Sequence, residues 1–486
     1  MKIRFLWSSA AAALGVAAAL AGCGGTTYFA GRNLPPSGLT NRVMIAIQNS
    51  SAFSKGALQF VDAYYDIRSG TGGKPAAYSI GGYSGALPIS IQNMPEEQTG
   101  YVYGSGDGSY VPISYAKEDT SAATTGLNGL SSSIFVSRNL SYVFAASQGA
   151  RVLTVIDRTN GSGYSLSLPG IYRVSVNPGG SSALAFVQNS NYAYYPVKLS
   201  AAQTISYSGG PPTWPTASVD CEPQNAPGWC LFQAQSPDKV DATGTYYGAP
   251  LSFDRPVKAV FSVDGSTAYV LNCGPECGGT KASVSILPVA PMIYLVGRAS
   301  GTLPTNAALA SATIAIPGGA SNALVDSSTM YVVGQQQQVV KGETLFAGEL
   351  TVVNLNTNTA SSAVAISDGL PGAPSRMLEA DNNTLWIAMT KCNNGVRANT
   401  GQAYGCLTMY NTSTGAVTML EPYLGDATGI AAVIGLNKIY TAEGGQVYIY
   451  STVDGTALDN QFVTVTGTAY DVAYMDAASD ADNTVY

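Results

Sequence analysis

The sequence predicts an all-β chain in which eight rounds of four strands close into a single ring, with seven rounds as the alternative. Three observations lead there. The composition is that of short strands and turns. A strand–turn pattern recurs along almost the whole chain. The two ends each carry an incomplete copy of that pattern. Of 486 residues only 11% are charged, yet 54 are Gly, 25 Pro and 30 Tyr. Soluble domains usually carry about 25% charged residues. Aromatic and β-branched residues favour the pleated sheet, and Gly and Pro favour turns.

The repeat is clearest in four segments: Ala150-RVLTVIDRTNG, Gly348-ELTVVNLNTNT, Gly405-CLTMYNTSTGA and Gly445-QVYIYSTVDGT. Each is a small residue, an alternating apolar strand and an Asx/Thr/Gly turn, and period-2 alternation marks a strand with one buried face. A strand precedes each one, at Tyr142-VFAA, Met330-YVVG, Leu385-WIAM and Lys438-IYTA, and before that another, at Ile134-FVS, Asn322-ALVD, Met377-LEAD and Ile430-AAVIG. Three further copies begin at Leu87, Tyr172 and Val257, the first being the weakest. Fourth strands follow at Ala312-TIAIPGG and Ala363-VAISDG. Arg42-VMIAIQ and Leu58-QFVDAYYDI read as second and third strands with no first, and the missing first strand stands at the other terminus as Tyr470-DVAYMD. Joining them removes the open sheet edges that a linear array would expose.

A repeat of about 40–60 residues with four strands suits the blade of a β-propeller. Phe261-SVDGSTAYVLN resembles the core of YVTN-type propeller repeats, with Val263 where that pattern has Pro and Leu271 where it has Thr. Gly445-QVYIYSTVDGT is similar to the repeats of pyrroloquinoline quinone proteins without their closing Trp. The resemblance spans residues 41–486 and implies a fold; propellers host unrelated activities.

Ahead of the ring lies a leader. Lys2 and Arg4 precede an apolar, Ala-rich run from Phe5 to Leu20, ending in Leu20-Ala21-Gly22-Cys23. The run is short for a membrane span. Its last four residues resemble the lipobox of bacterial lipoproteins at every position. The resemblance implies a signal peptide over 1–22 and lipidation at Cys23. It also implies attachment to a membrane of the bacterial cell envelope. Gly24 rather than Asp after the cysteine leans towards the outer membrane, periplasmic or surface-exposed. Losing Lys2 and Arg4 takes the net charge from −7 to −9. Residues 23–40, rich in Gly, Thr, Pro and Ser, read as a flexible tether.

Six cysteines remain, in three close pairs: Cys221 with Cys230, Cys273 with Cys277, Cys392 with Cys406. Six allow 15 pairings, and an oxidising compartment favours disulfides. The three-residue spacing of Cys273 and Cys277 could suit zinc, but no second ligand pair of that style follows.

In a four-stranded blade, the loop between strands two and three shares a face with the connection to the next blade. The long excursions fall on that face: 48–57, Cys273 to Lys281, Gly334 to Gly348, Lys391 to Gly405, and the largest, 200–256. Long loops in compact domains commonly carry function. The candidate binding face there comprises Trp214, Trp229, Gln336, Lys341, Phe346, Lys391, Arg397 and Tyr404. Aromatics beside amides and a few charges suit a protein or glycan partner.

The chain has no histidine. That excludes Ser-His-Asp and Cys-His hydrolysis and His-ligated zinc or haem. A pI near 4.7 disfavours nucleic acid as a partner. There is no Gly-x-Ser-x-Gly, and the oxygens of Asp480 to Asn483 lack the spacing of an EF-hand. Gly104 to Gly108 bridges two strands instead of opening a helix, so it is not a phosphate loop. No catalytic residue, metal site or cofactor is assigned. The expected function is that of a membrane-anchored binding or scaffold module. The alternative is a propeller enzyme of lactonase or quinone-dehydrogenase type. A cluster of carboxylates in the central channel would favour the enzyme.

Overall fold

A computed structural model describes residues 27–28, 31–49, 55–68, 78–121, 125–127, 129–131, 133–180, 182–199, 218–222, 228–234, 239–240, 246–247, 250–289, 312–340, 342–367, 372–392, 404–420 and 425–480. They form an eight-bladed β-propeller of antiparallel four-stranded blades. The first strands of blades 1 to 8 are Pro88–Met94, Ser133–Val136, Ile171–Val176, Pro256–Phe261, Asn322–Asp326, Ala373–Ala380, Ala427–Val433 and Thr468–Tyr474. These eight surround the central channel, and each sheet runs outwards from them.

The repeats predict the blades because alternation buries both sheet faces near the axis. In blade 7, Val447 and Ile449 pack one way against blade 8, while Ile439, Tyr448 and Tyr450 pack the other way against Trp386 and Leu407 of blade 6. Apolar area removed from water between neighbouring sheets, at ~25 cal/mol per Å², is the main cohesive term of the ring.

Blade 8 is composite. Its first strand comes from the C-terminus and pairs with Arg42–Gln48, which pairs in turn with Gly56–Asp62. Two backbone hydrogen bonds add residues 78–80 as the outer strand, Phe60 N–H to the Tyr78 carbonyl and Ile80 N–H to the Leu58 carbonyl. A polar clasp lies beside this joint. The Arg42 guanidinium, 1% exposed, donates to Asp476 Oδ1 (2.6 Å) and Oδ2 (3.0 Å), to Glu118 Oε1 (2.8 Å) and to the Tyr115 carbonyl (2.8 Å). It therefore joins the N-terminal strand, the C-terminal strand and blade 1.

Several expectations change in detail. The stretch predicted as a tether is docked from residue 31 on. Arg32 is buried and donates to the Pro95 carbonyl, and Ser37 N–H donates to Glu118 Oε2 (2.9 Å). Excursion 200–256 is not wholly a loop. Gly228–Gln233 forms the fourth strand of blade 3, and Ser218–Glu222 adds a fifth outside it. Gly334 to Gly348 is a hairpin: the paired strands Thr329–Val340 and Glu343–Asn354 run on in unbroken register to Val340 opposite Glu343. Apolar alternation stops at Gly334, but backbone pairing does not need it.

Disulfides join Cys221 to Cys230 and Cys273 to Cys277. The first links directly opposed residues of the two outermost strands of blade 3, so it staples sheet, not loop. Cys406 is also disulfide-bonded; the side chain of Cys392, its expected partner, lies outside the described residues, as does Cys23.

Candidate functional site

The first strands of six blades carry the same irregularity at the same level. An extra residue is inserted against the second strand: Ile89, Tyr172, Val257, Ser375, Thr428 and Tyr470. A β-bulge bends its strand and re-aims the side chains beside it. The residues that follow the six bulges are Ser90, Arg173, Lys258, Arg376, Gly429 and Asp471. Four charged side chains thus stand at equivalent positions of strands that are otherwise mostly apolar.

Polar side chains at or next to this level stitch the blades together. Gln92 of blade 1 exchanges two hydrogen bonds with Val136 of blade 2, at 2.8 and 2.7 Å. Ser133 of blade 2 accepts from Val174 N–H (3.2 Å), and Ser175 of blade 3 accepts from Ala259 N–H (3.1 Å). Lys258 Nζ of blade 4 donates to Asn322 Oδ1 of blade 5 (2.6 Å), and Asn322 Nδ2 donates to the Ser375 carbonyl of blade 6 (3.4 Å). Arg376 then reaches past blade 7 to Asp471 of blade 8 at 3.6 Å, and Asp471 Oδ2 accepts from Ile91 N–H of blade 1 (2.8 Å). Blade 7 permits that reach because its residue is Gly429: a Cβ there would lie 2.6 Å from Asp471 Oδ1 and 2.7 Å from Asp471 Cα.

The ring encloses a cavity of about 430 Å³ in the channel. Arg173, Lys258 and Arg376 line it, together with Ser90, Ser133 and Ser175, between apolar walls that include Phe135, Val174 and Tyr470. Towards one end lie Arg138 and Asp480, paired at 3.3 Å. Burial lowers the Lys258 ammonium well below its ordinary pKa, and the neighbouring Arg173 charge adds to this. Burial also lowers Arg173, against an opposing contribution from Tyr172, whose ring lies 5.9 Å from the guanidinium carbon. Among the described residues, no carboxylate pairs with Arg173 and no group of three or more Asp, Glu or Cys converges as a metal-binding set. Sequence reasoning missed this ring. The signal was nonetheless present, as one charge at one repeat position in Tyr172-Arg173-Val174, Val257-Lys258-Ala259, Ser375-Arg376-Met377 and Tyr470-Asp471-Val472.

The long-loop face is a second feature. Its described part is built on the blade 5 hairpin. Gln335 N–H donates to Glu276 Oε2 (3.0 Å) in the 3₁₀ turn Gly274–Cys277, and Gln335 Nε2 donates to the Gly372 carbonyl (2.7 Å). Burial raises the Glu276 carboxyl to about 7, against the Gln335 hydrogen bond. Gln336 and Phe346 are half-buried on this hairpin, with Val339 exposed near its tip. Trp229 is not on the face. It stands on the fourth strand of blade 3 and packs edge-on against Tyr142 (5.2 Å) and Phe144 (5.8 Å) of blade 2. Its place beside Cys230 in a strand, and not in a loop, decides that. Trp214, Lys341 and Arg397 lie outside the described residues, as do the side chains of Lys391 and Tyr404.

No protein-family model matches the chain, and no curated relative matches it. Solved structures share the architecture. The dihydro-heme d1 dehydrogenase NirN is 11% identical with a TM-score of 0.50, over 90% of this chain and 75% of that one. The periplasmic gluconolactonase PpgL of Pseudomonas aeruginosa is 11% identical with a TM-score of 0.45, over 89% and 98%. A putative 6-phosphogluconolactonase of Bacteroides fragilis is 10% identical with a TM-score of 0.44, over 90% and 99%. At such identities the likeness concerns the fold.

Proposed function

We propose that this chain is an exported, lipid-anchored propeller of the bacterial envelope, tethered through Cys23, whose long-loop face binds a protein or glycan partner without turning it over. The observation that carries this reading is the built hairpin face. The strands Thr329–Val340 and Glu343–Asn354 extend as one paired ribbon whose base is fixed by hydrogen bonds to the disulfide-closed turn at Cys273–Cys277 and to Gly372. A ribbon ordered before binding loses little conformational entropy on association. Amides at Gln336 and Gln337 and the Phe346 ring offer polar and apolar contacts on it. The channel supports the same reading over a metal-dependent lactonase. Arg173, Lys258 and Arg376 line it, and like charge opposes a divalent cation. The likenesses to NirN and to gluconolactonases rest on 10–11% identity and favour neither function.

The test trims the hairpin, joining Gln335 to Gly348 through Asn-Gly, and compares it with the intact chain on glycan arrays and by crosslinking in envelopes. Loss of a specific glycan or crosslinked partner on trimming, with the melting curve retained, supports the reading. Chelator-sensitive hydrolysis of a lactone by the intact chain, or binding that survives trimming, overturns it.

A further inference from the structure

Beyond the hairpin face, we infer that the central channel holds a second site, which binds a small organic oxyanion, carboxylate or phosphate, with Arg173 as its anchor. The argument begins with the bulges. Six equivalent insertions aim side chains at one level of the channel, and four of the six residues so placed are charged: Arg173, Lys258, Arg376 and Asp471. Such an arrangement is costly, because charge buried in a protein is disfavoured unless it is paired. The structure meets that cost unevenly. Arg376 is matched to Asp471, and a glycine stands at position 429 where any side chain would strike Asp471. Lys258 is held by the neutral amide oxygen of Asn322. Arg173 has the Tyr172 ring and the like charge of Lys258 near it, and among the described residues no carboxylate pairs with it.

The surplus is therefore positive and points into a cavity of about 430 Å³, within the range of ordinary ligand sites. The whole chain carries a net charge of −7, so this positive surplus runs against the composition. A guanidinium presents a planar fork that matches a carboxylate or phosphate through two parallel hydrogen bonds. Ser175 supplies a hydroxyl beside it, and Phe135, Val174 and Tyr470 supply apolar wall. The fitting ligand has an oxyanionic end and a compact apolar or hydroxylated body.

The experiment measures thermal stability and calorimetric binding of the full mature chain with benzoate, citrate, phenyl phosphate and inorganic phosphate, against sodium chloride at equal ionic strength. At least one anion should raise the melting temperature above the chloride control. Benzoate and citrate against the two phosphates distinguish the carboxylate from the phosphate source. Arg173→Gln should weaken that binding at least ten-fold, and Arg173→Lys should restore part of it. Arg173→Gln should also melt no lower than the wild type without anion, since it removes an unmatched, half-buried charge; a purely structural arginine would lower it. The inference is overturned if no anion of the panel exceeds the chloride control, or if Arg173→Gln responds as the wild type does. It is equally overturned if Arg173→Gln and Arg173→Lys both melt well below the wild type without anion.

Discussion

Closing the ring with mixed termini concentrates buried polar contacts at one joint, and Arg42 is the group to perturb there. Its guanidinium is 1% exposed, and Asp476 is fully buried. Four donor contacts of 2.6–3.0 Å reach Asp476, Glu118 and the Tyr115 carbonyl. Asp476 Oδ2 also accepts the Arg42 backbone N–H (2.7 Å). Asp476→Ala removes the carboxylate that takes three of these bonds and leaves a buried cation incompletely matched. Breaking one side of a buried pair costs about 3–5 kcal/mol, a large fraction of the 5–15 kcal/mol that holds a typical domain. Replacing both partners with apolar residues removes the need for matching, so Arg42→Met combined with Asp476→Leu should recover much of the loss. The assay is urea unfolding of the mature chain, followed by circular dichroism and by tyrosine fluorescence at low and high salt. Because the pair is buried, the loss should change little with salt. A cost below about 1 kcal/mol for Asp476→Ala would refute the reasoning. So would a double variant less stable than the sum of the two single losses.

Other outcomes follow from the same structure. Ending the chain after Ala469 deletes most of the first strand of blade 8 and exposes the edge of Arg42–Gln48; the product should aggregate or melt earlier, by dynamic light scattering and calorimetry. Reducing Cys221–Cys230 should speed amide exchange in Ser218–Glu222 and Gly228–Gln233, at a cost of about 3 kcal/mol or less, and leave exchange in Ile171–Val176 unchanged. Glu276 sits at about 7 in the fold against 4.5 otherwise, so its protonated form is the favoured buried form. The stability it contributes is complete below pH 4.5 and is lost as pH rises through 7. Glu276→Gln should flatten that part of the pH–stability profile, by an amount on the order of 1–2 kcal/mol after allowance for partial solvation. Gly429→Val should displace Asp471 and lower the melting temperature more than Gly163→Val, where nothing lies within 4 Å of the Cβ position and φ is not in the left-handed region.

Blade count and closure were legible in the sequence because both depend on local signals. Alternation sets each strand, polar turns such as Asp264-Gly265 and Asn382-Asn383 set hairpins, and a missing first strand at one end with a spare one at the other sets the joint between Arg42–Gln48 and Thr468–Tyr474. The close cysteine spacings likewise pointed to Cys221–Cys230 and Cys273–Cys277. Other features belonged to the tertiary structure. Trp229 reads as a loop aromatic until backbone pairing with Ala193–Leu199 turns it towards Phe144. The hairpin beyond Gly334 keeps its register through hydrogen bonds that any residue except proline can make, so its polar sequence conceals it. The channel ring is the plainest case. Arg173, Lys258, Arg376 and Asp471 follow one another at intervals of 85 to 118 residues along the chain, and each alone reads as one charge within its own repeat. They become one site because each strand carries a bulge at the same height, and the ring brings those heights together around one axis. Sequence period determines which face a side chain takes within its own sheet; only closure of eight sheets determines which side chains from distant blades share a cavity.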